Sequence, residues 1–169
     1  MNCKSINKEP ISDVIIRFQD CDPFGHLNNA RYIDYFINVR ENHLLEYYNL
    51  DIYKRQKKSN INWVVAKTKI AYISPVFFRE KVSIKTCLIT YTDNSLLMEG
   101  IMLDNTRKYV KAVIWIEFKY FDLTNGKLIT HSAELTELFV KILIRGIDTD
   151  SFDTRVKKII SLGKVNSTT

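Results

Sequence analysis

The sequence predicts a single α+β domain, and three observations carry that prediction. From Ala30 to Tyr48 there is no Gly or Pro, and Ile33, Phe36, Ile37, Arg40, Leu44, Tyr47 and Tyr48 recur at helical spacing. Four β-like segments then follow in succession: Trp63 to Ile73, Val82 to Tyr91, Leu96 to Leu103 and Tyr109 to Phe121. The chain has 169 residues, 46% of them hydrophobic, which matches one domain with a continuous core.

Taken in order, Val14 to Phe18 reads as a short strand running into Asp20-Cys21-Asp22-Pro23-Phe24-Gly25, a stretch dense in turn formers. A long helix follows, with a broad apolar stripe that Tyr32, Tyr35 and Val39 extend. The polar, basic run Lys54 to Asn60 reads as a surface loop. Asp104-Asn105-Thr106-Arg107-Lys108 reads as a hairpin loop between the third and fourth of the β-like segments. In the last segment Val110, Ala112, Ile114, Ile116, Phe118 and Tyr120 alternate onto one face. Val113 and Trp115 fall on the other, which predicts a central strand covered on both sides, either within the chain or by a second subunit. Thr124 to Lys127 is a further turn, and Ser132 to Ile142 a second helix. The main domain is expected over residues 1–142. Residues 143–169 form a tail in which Phe152, Val156, Ile159 and Ile160 have the spacing of a short helix.

Composition excludes several classes. The three cysteines, Cys3, Cys21 and Cys87, show no CxxC spacing and cannot all pair, which argues against a disulfide scaffold or a cysteine-rich zinc site. No metal and no cofactor are expected, since His43 and His131 have no ligand-like company. The first twenty residues lack a secretory apolar core, and charges interrupt every apolar run before membrane-spanning length. The expectation is a soluble, cytoplasmic protein without a membrane partner. The formal charge of +6 would attract an anionic partner. It is dispersed, with no nucleic-acid motif, so a nucleic-acid partner is not expected.

The segment from Asp20 to Tyr32 concentrates two carboxylates, a histidine and two amides immediately before the long helix. A helix start offers unpaired backbone N–H groups and the positive end of the helix dipole, which together polarise a carbonyl and stabilise an oxyanion. A carboxylate held nearby can attack that carbonyl or deprotonate a water that does. Taken alone, however, Asp22 before Pro23 would also suit an ordinary turn. Cys21, flanked by two acids, has its thiolate disfavoured and reads as packing.

The run Asp20-Cys21-Asp22-Pro23-x-Gly25-His26-x-Asn28-Asn29-Ala30-Arg31-Tyr32 resembles the signature of the 4-hydroxybenzoyl-CoA thioesterase family of hotdog enzymes. Lys69 to Val76, closing at Pro75 before the next strand, resembles that family's second landmark. The resemblance implies a hotdog fold, in which a five- to six-stranded antiparallel sheet wraps around the long helix. It implies hydrolysis of an acyl-CoA or acyl-carrier-protein thioester in a homodimer or homotetramer with sites at the subunit interface. Asp22 is then the nucleophile or general base, and the Asn29 N–H binds the thioester oxygen. His26 and Asn28 resemble a His-x-Asn-Asn segment of plant acyl-carrier thioesterases and support the site. Phe24 stands where those plant enzymes carry an Asn. Tyr32, Arg79, Lys81, Arg107 and Lys108 are candidates to contact substrate, the last four through CoA phosphates. A hotdog protein that binds thioesters without cleaving them and a dehydratase of the same fold are the rival expectations.

Overall fold

The computed structural model describes residues 6–165; Cys3 lies outside them. Six antiparallel strands form one sheet. β1 (Ile11–Ile15), β3 (Lys81–Tyr91), β4 (Ser95–Asp104), β5 (Val110–Asp122) and β2 (Ile61–Tyr72) lie side by side in that order, and β6 (Lys127–Leu128) adds to the end of β5. The long helix α1 (Tyr32–Tyr48) packs on the inner face of this sheet. Its Phe36 is fully buried and pressed so closely onto β4 that a Cβ at Gly100 would lie 2.6 Å from the ring. That approach requires glycine. Val39 and Tyr32 join Ile84, Met98, Ile114 and Ile116 in the same core.

Three expectations are corrected. The first strand ends at Ile15, and Phe18 opens a short 3-10 turn with its ring 76% exposed. The basic stretch after α1 is helical: α2 spans Ile52–Ser59. Asp51 caps it by accepting the Lys54 N–H at 2.8 Å, and Asn60 closes it in the left-handed conformation at φ 53°. Capping rather than an apolar stripe specifies this helix. Val110, expected on the same face as Ala112, packs on the opposite one. Met102 pairs with Ala112 but Leu103 with Val110, so Lys111 is an inserted bulge residue that flips the alternation.

The outer face of β5 is covered within the chain. α4 (Phe152–Val165) buries Phe152, Val156 and Ile159 against Val113, Trp115 and Cys87. Between them, the β4 side chain Glu99, 1% exposed, accepts two hydrogen bonds from Arg155 and one from Trp115 Nε1. α3 (Ala133–Ile142), capped by Ser132, closes a third cluster of Leu135, Phe139 and Ile142 with Tyr48, Leu88 and Tyr120. Among the described residues no helix is long and apolar enough to cross a bilayer.

Candidate active site

The loop before α1 is a small, tightly bonded hairpin. The Asp22 N–H donates to the His26 carbonyl at 2.8 Å, and the Gly25 N–H returns to the Asp22 carbonyl at 3.0 Å, with Gly25 at φ 77°. That positive φ is why glycine sits there. The hairpin is stitched to the segment following β2: Leu27 N–H donates to Val76 O at 2.8 Å and Phe78 N–H to Gly25 O at 3.0 Å. Leu27 and Val76, both buried, anchor this contact in the core.

Within it the Asp22 carboxylate is fixed by one oxygen. Oδ1 accepts the Phe24 N–H at 2.9 Å and the His26 N–H at 3.0 Å. Oδ2 has no donor among the described residues, which leaves it for substrate or water. The turn-forming role that an Asp-Pro pair suggests is thus real, and it orients the carboxylate rather than consuming it.

The Asn28 side chain caps the helix start, its Oδ1 accepting the Ala30 N–H at 3.0 Å. Asn29 opens a 3-10 turn, Asn29–Arg31, that leads into α1. As the first residue of that turn its N–H has no intrahelical acceptor. The Asn29 carbonyl accepts the Tyr72 hydroxyl at 2.9 Å, tying this turn to the end of β2. Asp20 plays a different part: its carboxylate accepts the Tyr35 hydroxyl at 2.8 Å and its carbonyl the Asn28 N–H at 2.9 Å, so it builds the loop.

Asp22, His26, Asn28, Asn29 and Tyr32 line one open cavity of about 450 Å³. Its opposite wall is Tyr72, Ile73, Ser74 and Pro75, which sequence reasoning did not assign to the site. The only available signal was the strand closing at Pro75. The His26 ring packs edge-on against Phe77, centroids 4.9 Å apart. Tyr32 is 3% exposed, and burial pushes its phenol up to about 12, so it stays protonated and offers a donor. Burial first, then the charges of Asp20 and Asp22, raise the Cys21 thiol, which makes it a poor nucleophile.

The four cationic candidates lie outside this cavity. Lys81 and Arg107 both pair with Asp13, at 2.9 and 3.2 Å. Arg79, in the left-handed conformation at φ 63°, stacks on the Phe78 ring at 5.3 Å. Lys108 sits in the β4–β5 hairpin, its N–H on Asp104 at 3.0 Å.

An antiparallel sheet curled around one long helix is the hotdog architecture. The chain belongs to the thioesterase-like superfamily, whose model matches residues 16–139. It is 25% identical over 126 residues to the long-chain acyl-CoA thioesterase FadM of Escherichia coli (strain K12), covering 75% of this chain and 93% of that protein. Among solved structures it is similar to YbaW, a probable thioesterase from Escherichia coli, at 25% identity and TM-score 0.67, covering 79% of this chain and 98% of that one. Slr0204, a 1,4-dihydroxy-2-naphthoyl-CoA thioesterase from Synechocystis, shares the fold at 8% identity and TM-score 0.72, over 78% and 96% of the two chains.

Proposed function

We propose that the protein hydrolyses acyl-CoA thioesters with Asp22 as the reacting carboxylate and the Asn29 N–H as oxyanion donor. The observation that carries this reading is the division of labour within Asp22. Oδ1 is locked by two peptide N–H groups while Oδ2 has no partner among the described residues, in the same cavity as a helix-start N–H that likewise has none among them. The thioester carbonyl oxygen takes the Asn29 N–H, and negative charge developing there is stabilised by that donor and the helix dipole. Oδ2 either removes a proton from water as it attacks or attacks directly to give an acyl-enzyme anhydride that water opens; the thiolate leaves in both routes. The Asn28 cap and the Tyr72 hydroxyl hold the donor in place. His26 contributes its peptide N–H to Asp22, and its ring, set against Phe77, bounds the cavity.

The CoA-thioesterase names of the relatives support CoA as the thiol carrier. The active unit in this reading is a homo-oligomer. β2 is an edge strand of twelve residues with Val65 49% exposed, an edge that a second copy would cover. A thiol-release assay over short, long and aromatic acyl-CoAs, with acyl-carrier-protein thioesters alongside, tests the reading. Turnover of at least one acyl-CoA class is expected. Binding without thiol release across the panel would sink it in favour of a thioester-binding protein.

A further inference from the structure

A second cavity, of about 170 Å³, lies farther along α1 between that helix, α2, α3 and the sheet. Ile37, Leu44, Trp63, Leu88, Met98 and Phe118 give it a predominantly apolar wall. Arg40 stands in this wall, 6% exposed, and its Nη1 is buried with no hydrogen-bond partner among the described residues. The guanidinium carbon lies 5.7 Å from the centroid of the Tyr48 ring, whose hydroxyl donates to the Asn7 carbonyl at 2.9 Å and keeps its oxygen as an acceptor beside Arg40. Glu41, the one carboxylate in the wall, already accepts the Tyr53 hydroxyl at 2.7 Å. Burial lowers the pKa of Arg40, opposed in part by Tyr48.

A buried guanidinium N–H without an acceptor is costly, and buried charges are otherwise found paired. An apolar side chain would line this cavity more cheaply if the occupant were a plain hydrocarbon. The desolvation of Arg40 is incurred on folding, so an acceptor brought in by a ligand gains the attraction without stripping water from the cation again. Tyr32, at the site, and Arg40 are separated by eight residues of α1, about 12 Å of rise at 1.5 Å per residue. An extended acyl chain of medium length spans that distance.

Resting on the thioesterase reading above, we propose that this second cavity takes the far end of the acyl chain. Arg40 there selects acyl groups that carry an acceptor oxygen at their tail, a terminal carboxylate above all.

The test compares kcat/KM for dodecanoyl-CoA and dodecanedioyl-CoA in the wild type, Arg40→Met and Arg40→Lys. The wild type should favour dodecanedioyl-CoA by about tenfold or more, the worth of one charge-assisted hydrogen bond. Arg40→Met should lose that preference, and Arg40→Lys, which keeps charge without the planar fork, should retain part of it. If Arg40→Met does not fold, the wild-type ratio and the Lys variant still decide the matter. A wild type that cleaves dodecanoyl-CoA as well as or better than dodecanedioyl-CoA overturns the inference and leaves the thioesterase reading intact. So does a preference that Arg40→Met leaves unchanged. A wild type that releases thiol from no acyl thioester overturns both.

Discussion

Glu99 on β4 and Arg155 on α4 form a bidentate pair, with Nε and Nη2 of the arginine 2.8 and 2.7 Å from the two carboxylate oxygens. The family model ends at residue 139, before this helix, yet the pair and the apolar residues around it fix α4 onto the outer face of the sheet. Glu99 is 1% exposed, so its charge depends on Arg155 and on the single bond from Trp115.

Removing one member of this pair should therefore cost far more than removing both. Arg155→Met is expected to destabilise the fold by about 3–5 kcal/mol, the range for stranding a buried charge. Adding Glu99→Gln to it should recover much of that loss. Urea unfolding of the two variants measures this; a loss under about 1 kcal/mol for the single variant would mean that the pair is not buried in solution.

The Asn28 cap links local stability to catalysis. Asn28→Ala should cost about 1 kcal/mol by removing the acceptor of the Ala30 N–H. In the proposed mechanism it should also lower kcat roughly tenfold, less than outright loss of an oxyanion donor, because the Asn29 N–H is displaced rather than deleted. Asn28→Ser, which can still cap, should restore most of both. Thermal melts together with steady-state kinetics check the pair; a variant that loses its cap and keeps kcat would separate the cap from the donor.

Acid should destabilise the protein through His43. This ring is fully buried between Ser12 Oγ at 2.9 Å and Thr86 Oγ1 at 2.8 Å. Burial, helped by the Arg40 charge, pushes its pKa down to about 4. The unfolded ring binds a proton near pH 6.5, so between about 6.5 and 4 the unfolded state holds more protons and stability falls as pH falls. The loss is on the order of 2–3 kcal/mol across that window. Asp13 acts lower. Hydrogen bonds from Ser83, Lys81 and Arg107 hold its carboxyl well below the usual range, so its contribution is lost only beneath the ordinary carboxylate pKa. Denaturant midpoints at pH 7 and pH 4.5 should differ in the wild type and differ less in His43→Gln; equal slopes would exclude His43 as the cause.

Much of the fold was legible because its determinants are local or periodic. The stripe from Ile33 to Tyr48 marked α1, and the turn chemistry of Asp22 to Gly25 marked the site loop. What escaped was specified otherwise. α2 has only two apolar residues, Ile52 and Tyr53 in its first turn, and the Asp51 and Asn60 caps set its ends. The Lys111 bulge changes the face of Val110 through pairing with β4, invisible along one strand. The covering of Trp115 left a choice between an internal element and a second subunit, and α4 supplies it from nearly forty residues away. The pairing of Lys81 and Arg107 with Asp13 is likewise a contact across strands. Arg40 was visible in the helical stripe, but only packing shows that its Nη1 meets no acceptor among the described residues.

The most direct measurement of the central claim is the turnover number of Asp22→Asn beside its unfolding free energy. Asparagine keeps an Oδ1 that can accept the Phe24 and His26 N–H groups, so stability should stay within about 0.5 kcal/mol of wild type. The amide that replaces Oδ2 can neither attack a thioester nor take a proton from water. kcat on the best acyl-CoA should consequently fall by at least about a thousandfold. A folded Asp22→Asn enzyme that releases thiol at a rate near that of the wild type would contradict the account.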